Sequence, residues 1–434
     1  MLTNPPTRKL VPTSLRHSIG VIGLTIGSSI SVAFAADLSD SAANAIHQYQ
    51  QEMASVENEY GAHHYALVEP AVGLGINYQR QGRHDEAIDA FKRALHVNRI
   101  NRGLHNIDHI PIIDLIATSQ IQLGDWADAD QQQRLRLWIH KREIQTNQDV
   151  SGEDLDSYVD AVLHYSNWQG QMYSQDTGRF PLAKLREAQN ALVDARSRLE
   201  KRNANQREKY FKVLNTIAVN SYNTVVYLSS NDIDPVSGSS GGDQDMSDYL
   251  LRQNIITQNY RDGTAALAEV IKQTSSEGQR LQHAMATLNY ADWMLLFNRP
   301  QSAHKEYKKA YQAFLAAGLD AQTINQRFAD PQSIKSFELD ANFNAEASTE
   351  HTESETEKEP KPYALAVFDV SRKGQARNID IEESWPATDR RIRRTALVHL
   401  GATKFRPTLV NGEPTIKKGV KIRYSFPSPT LNQE

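Results

Sequence analysis

From Leu38 to about Phe343, apolar residues return every three or four positions, the period of helices that bury one face. After Pro362 the rhythm becomes a strict alternation, with Ala364, Ala366, Phe368 and Val370 on one side of an extended strand. Between the two regimes, residues 345–361 hold six Glu, two Lys and several Ser and Thr, with almost nothing to bury. Such a stretch cannot offset its own chain entropy, so an acidic disordered linker is expected there. A second break, from Ser229 to Gln244, is rich in Ser, Gly and Asp around Pro235 and predicts an exposed loop. Long helical patterns also fill Leu182 to Arg202 and Glu208 to Leu228.

Within the helical part, one segment carries Leu74, Gly75, Tyr78, Gly82, Ala87, Phe91 and Ala94. Leu74 and Tyr78 fall on one helix face, and Gly82 breaks the chain. Ala87, Phe91 and Ala94 then line the facing side of the next helix. Small residues at a crossing let two antiparallel helices approach closely, while an aromatic ring fills the space beside them. This spacing resembles the tetratricopeptide repeat. Ala117, Gln120, Gly124, Ala129 and Gln133 repeat it more weakly. Ala291, Met294, Asn298, Ala303, Tyr307 and Ala310 repeat it with Asn298 in place of the turn glycine. Gly82 and Gly124 are 42 positions apart, longer than the usual period of about 34, so the array is irregular. A solenoid of stacked helix pairs follows, because one pair cannot bury its apolar face alone.

The C-terminal stretch reads strand, strand, helix, strand. The first strand ends in the turn Ser371-Arg372-Lys373-Gly374, and the second carries Ile379 and Ile381. A helix from Ala387 to Leu400 turns Ile392, Ala396, Leu397 and Leu400 inward. Gly419 to Phe426 forms the closing strand. The run Val367-Phe368-Asp369-Val370 with Gly374, then Lys404-Phe405-Arg406-Pro407 and Asn411-Gly412-Glu413-Pro414, resembles the C-terminal domain of TonB energy transducers over nearly all of 362–427. One position departs: Thr403 stands where many relatives carry Trp, which alters packing between the helix and the last strand. The resemblance implies capture of an extended partner segment, added as a strand beside Val420, Lys421, Ile422, Arg423, Tyr424 and Ser425. An unpaired sheet edge supplies the backbone donors and acceptors for that. The alternative is that this strand only completes the sheet.

The N-terminus adds a compartment. Arg8, Lys9 and Arg16 precede an apolar run from Ser18 to Ala35 that closes on Ala33-Phe34-Ala35. That is the layout of an export signal cleaved before Ala36, and its length also suits a short inner-membrane anchor. The 434-residue chain contains no cysteine, which excludes thiolate metal sites, catalytic Cys and disulfides. A net charge of −4 gives no global sign of nucleic-acid binding.

Little else points to chemistry. His105 and His109 are spaced to share a helix face, a geometry that can chelate zinc, but no accompanying Glu completes a zincin motif; His63 and His64 are equally isolated. No phosphate loop, nucleophile elbow or metalloprotease motif occurs. Arg390, Arg391, Arg393 and Arg394 make a basic helix, and from Pro362 onward 13 Lys and Arg face 7 Asp and Glu. That helix is either solvated or in contact with the chain's own acidic linker, or it meets lipid headgroups, lipopolysaccharide or an acidic partner.

The expectation is therefore a mainly α protein with a TPR-like α-solenoid followed by a small α+β (β-β-α-β) domain. Residues 1–35 form the leader or anchor, 36–344 the repeat body, 345–361 the linker and 362–434 the C-terminal domain. A non-enzymatic periplasmic adaptor binding envelope proteins, without cofactor or metal, fits these features. A TonB-dependent outer-membrane transporter is one candidate partner, and a homodimer through the C-terminal domain is another arrangement. The alternative is an anchored energy transducer or an accessory of TonB-dependent transport. Against that alternative, the run from Ser18 to Ala35 lacks the His of the family's membrane helix, and the linker extends only about 55 Å at ~3.3 Å per residue.

Overall fold

The computed structural model of the chain describes residues 31–146, 151–174, 182–200, 207–230, 242–275, 277–334, 337, 362–387 and 389–425. Residues 1–30 of the expected leader, 231–241 of the expected loop and the acidic segment 345–361 lie outside these. No helix among the described residues is long and apolar enough to cross a membrane.

The body is a succession of helices: α1 Ser31–Tyr60, α2 Val68–Arg80, α3 His84–Arg102, α4 Ile110–Leu123, α5 Trp126–Thr146 and α6 Gly152–Ser174. Then come α7 Leu182–Glu200, α8 Arg207–Ser230, α9 Gly242–Gln273, α10 Arg280–Leu296, α11 Pro300–Ala316 and the short α12 Ala321–Arg327. Each helix from α1 to α11 packs against its successor, which is how stacked pairs bury apolar faces that none could bury alone. The expected loop from Ser229 to Gln244 is narrower than the sequence suggests, because α8 runs to Ser230 and α9 begins at Gly242.

Three crossings carry the repeat spacing. In α2–α3, Leu74, Tyr78, Ala87, Phe91 and Ala94 are all buried. A Cβ added to Gly75 would stand 2.4 Å from Phe91 Cε1, so the glycine is what allows the ring in. Gly82 turns the chain at φ +72° and Gly124 does the same at +79°, conformations that cost a residue with a Cβ. In α4–α5, Ala117, Gln120, Ala129 and Gln133 are buried. In α10–α11, Asn298 occupies the turn at φ +55° between a fully buried Ala291 and a fully buried Ala303. Asn tolerates the left-handed region better than other residues with a Cβ, hence its substitution for glycine. Between these crossings, α6 to α8 pack around Tyr158, Tyr165, Leu192, Phe211 and Leu214 without the small-residue signature.

After α12 the chain forms β1 Gln332–Ser333, then β2 Tyr363–Val370, β3 Ala376–Trp385 and helix α13 Arg390–Ala402. Four strands follow: β4 Phe405–Arg406, β5 Thr408–Val410, β6 Glu413–Thr415 and β7 Lys417–Ser425. The order expected for this region is present, with four short extra strands. β1 pairs with β4, and β5 pairs with β6 in a hairpin turned by Asn411-Gly412. The helix starts later than its apolar pattern suggests, since the Asp389 carboxylate caps it by accepting the Arg391 N–H at 2.8 Å. Its buried stripe is Ile392, Ala396 and Leu400; Leu397, expected inside, is 40% exposed. Thr403 ends the helix by donating its hydroxyl to the His399 carbonyl. Phe405 fills the core against Phe368, with ring centroids 5.3 Å apart.

Candidate functional site

The main sheet runs β3–β2–β7, antiparallel throughout, so β7 lies at one edge. Its side chains alternate. Val420 and Ile422 lean on the core that β2 shares with α13, and the Tyr424 ring lies 5.1 Å from that of His399. On the opposite face Lys421 pairs with Glu382 at 2.9 Å across β2. Arg423 stacks over Tyr363 at 4.0 Å, and the Tyr363 hydroxyl donates to Glu383. Ser425 pairs with Tyr363 at the end of the ladder. A segment added here meets Lys421 and Arg423 on one face and the side of Val420 and Ile422 on the other.

The C-terminal unit is not simply tethered, although the sequence sets it behind a linker as a separate domain. Arg406 reaches from β4 into α10, where its Nε donates to Asp292 Oδ2 at 3.0 Å and Oδ1 at 3.1 Å. The Asp292 side chain is 1% exposed and the Arg406 side chain 14%. The Tyr307 hydroxyl donates to the same carboxylate at 2.7 Å. Burial by itself would depress the Arg406 pKa, but the charge and hydrogen bonds of Asp292 outweigh it and hold the guanidinium above its ordinary value. Burial, followed by the Asp292 charge, pushes the Tyr307 hydroxyl well above its usual range. Around this pair, Ile334 N–H bonds to the Lys404 carbonyl at 3.0 Å, Leu409 joins the core of α10–α12, and Lys404 Nζ reaches Asn298 Oδ1 at 2.9 Å. Neither Asp292 nor the role of Arg406 is visible in the repeat spacing. The one available signal is a lone carboxylate inside the apolar run from Ala291 to Leu296.

Arg390, Arg391 and Arg394 project outward from α13, while Arg393 donates to the Ile381 carbonyl at 2.8 Å. The repeat signature residues are scaffold: Leu74, Gly75, Tyr78, Ala87, Phe91 and Ala94 are closed inside the crossing, and Gly82 makes its exposed turn. His105 and His109 do not form a chelating pair. His109 is buried with Nε2 bonded to the Gly103 carbonyl at 2.7 Å, and His105 lies edge-on to Trp138. Burial, then the Arg99 charge working with it against the Gly103 hydrogen bond, lowers the His109 pKa. Among the described residues, no three His, Asp or Glu gather in a way that would hold a metal ion. A buried polar centre joins α5, α6 and α7: Asp130 accepts from Trp168 Nε1 at 3.0 Å and Gln169 Nε2 at 2.8 Å, and pairs with Lys184.

Residues 32–99 match a tetratricopeptide-repeat family, a stretch that takes in α1, α2 and most of α3. No curated protein is significantly similar to the chain. Among solved structures, the crystal structure of BtubC (BKLC) from P. vanneervenii aligns at 16% identity over 64% of this chain and 90% of that one, with a TM-score of 0.31.

Proposed function

We propose that the protein is a non-enzymatic adaptor of the cell envelope, exported by its N-terminal segment. In this reading the repeat body holds one partner, and the C-terminal sheet takes an extended segment of another by strand addition at β7. The similarity of residues 32–99 to tetratricopeptide repeats supports a protein-binding role for the body. The observation that carries the rest is the position of β7, which has β2 on one side and no strand on the other among the described residues. Such an edge leaves alternate N–H and C=O groups for a peptide to satisfy.

The resemblance of 362–427 to TonB C-terminal domains makes a segment of a TonB-dependent outer-membrane transporter one candidate partner. An anchored transducer would use the same edge but needs a tail that travels. The buried Arg406–Asp292 pair favours a tail fixed to its body. Self-association through β7 is disfavoured by its own charge, because Lys417, Lys418, Lys421 and Arg423 would face a second set of cations.

The test is a titration of the full chain with a fluorescent extended peptide, beside the same peptide N-methylated at alternate positions. Strand addition predicts saturable binding that methylation of one set of positions abolishes and methylation of the other set leaves intact. Equal binding of all three peptides, or of none, would overturn the reading. Blocking the peptide rather than β7 leaves the fold of the protein untouched.

A further inference from the structure

Helix α13 has two distinct faces, one apolar and buried, the other cationic and aliphatic and exposed. One is the buried stripe of Ile392, Ala396 and Leu400 that covers β2 and β3. Opposite it, within about 120° of arc at the ~100° turn per residue of an α-helix, lie Arg390, Arg391, Arg394, Leu397, Val398 and Gly401. Leu397 is 40% exposed and Val398 66% exposed, and the three arginines are exposed as well. None of those arginines makes an ion pair among the described residues, and no acidic residue shares their face.

The charge is also badly placed for folding. Four arginines crowd the first turns of the helix, where the macrodipole is already positive and cations destabilise. Arg393 is tied to the Ile381 carbonyl, but the unit gains no stability from Arg390, Arg391 and Arg394, and an external anion would relieve them. The face is the outside of a helix cylinder, with the aliphatic side chains of Leu397 and Val398 about one turn beyond Arg394. A convex helix carrying arginines and aliphatic groups suits a fluid anionic bilayer: headgroup phosphates meet the guanidinium groups and the aliphatic side chains enter the acyl boundary. A folded acidic protein would instead need a groove shaped to this helix.

We infer that the outward face of α13, formed by Arg390, Arg391, Arg394, Leu397 and Val398, docks the C-terminal unit on an anionic lipid surface. The β7 edge is not required for this, and either assignment can fail without the other.

The chain has no cysteine, so Val398→Cys gives a single site for an environment-sensitive dye. Val193→Cys, on an exposed position of α7, serves as the control. The full chain is mixed with vesicles of phosphatidylcholine, alone or containing phosphatidylglycerol. The apolar N-terminal run can hold to either vesicle, so the readouts are the preference for the anionic vesicle and the dye response at each site. Docking predicts a blue shift at Val398→Cys only, quenching by brominated lipid, and weakening with salt as charges are screened. The triple variant R390E/R391E/R394E should lose the anionic preference by on the order of a hundredfold while its melting temperature holds or rises. Leu397→Ser should keep the salt-sensitive attraction and lessen the blue shift of the dye. Equal affinity for both vesicles, or a triple variant that binds as the parent does, would overturn the assignment. So would binding to poly-glutamate but not to vesicles, which would transfer the face to an acidic protein.

Discussion

Arg406 and Asp292, 114 residues apart in the chain, form a nearly dry ion pair that fastens the C-terminal unit to the last repeat. An ion pair in such a place is a poor source of net stability, because desolvating both charges consumes most of what their attraction returns. Its value is positional: a guanidinium finds a matching carboxylate only in one register of β4 against α10.

Removing one partner alone is therefore costly. Asp292→Leu leaves Arg406 buried without its counter-ion and Tyr307 without its acceptor, and should destabilise the protein by about 3–5 kcal/mol. Replacing the set together, as Asp292→Leu with Arg406→Met and Tyr307→Phe, should recover most of that. Urea unfolding measures both, and hydrogen exchange at β4 and β5 should show the C-terminal unit opening first in the single variant. Equal costs for the single and the combined variants would mean that the pair does not govern docking.

Gly75 tests the first crossing. A methyl group there would stand well inside contact distance of the Phe91 ring. Ala is the better helix former by about 1 kcal/mol, yet overpacking a tight core costs about 1–3 kcal/mol. Gly75→Ala should then lower stability by up to about 2 kcal/mol, and Phe91→Leu in the same chain should return part of it. A more stable Gly75→Ala protein would show that the helices can move apart freely.

These two sites mark what the sequence reveals and what it hides. Gly75 and Phe91 were readable because both belong to a local spacing in which one small and one aromatic residue have fixed places. Asn298 was readable as a turn for the same reason. The alternation of Val420, Ile422 and Tyr424 marked β7 as a strand, and its place at an edge was implied only by the resemblance of the flanking motifs. Arg406 was not readable, because its partner is set by docking two units rather than by any period along the chain. The Asn411-Gly412 turn could be expected, but not its seat on α11, where a Cβ on Gly412 would lie 2.7 Å from Tyr311 Cβ. Leu397 misled for a simpler reason. It sits at the margin of the outward face, about 60° from Leu400 on a helical wheel, and apolar character alone does not fix where a buried stripe ends.

Asn298 joins both kinds of information. It holds the turn between α10 and α11 at φ +55° and accepts from Lys404 Nζ, so one residue serves the repeat and the docked tail. Asn298→Gly keeps the turn and loses only an exposed contact, so its melting temperature should stay within a few degrees of the parent. Asn298→Ala adds left-handed strain and should cost about 1 kcal/mol more than the glycine variant. Thermal melts of the three proteins rank them, and an alanine variant as stable as the glycine one would show the turn to be unstrained.

His140 gives the protein a pH dependence of known sign. It is 8% exposed on α5, and burial, then the charge of Arg136, lowers its pKa to about 4, against a partial opposing pull from Asp160. In the unfolded chain an imidazole titrates near 6.5. Between those values the unfolded state holds more protons, so stability rises with pH. The contribution is complete above about 6.5 and is lost as pH falls through the folded value. The full shift corresponds to about 3 kcal/mol, and residual solvent contact reduces the expected loss to about 1–2 kcal/mol. Asp114, whose pKa burial raises against the pull of Arg136, works in the opposite direction: its contribution is present below the unfolded carboxyl pKa and is lost as pH rises through the folded one. Comparing the parent with His140→Gln cancels that term, since both keep Asp114. The stability difference between the two proteins, measured by urea unfolding, should move in favour of His140→Gln by about 1–2 kcal/mol between pH 7 and pH 4.5. A difference that stays constant with pH would mean that His140 gains its proton as readily folded as unfolded, and that the packing of α5 against α6 admits water.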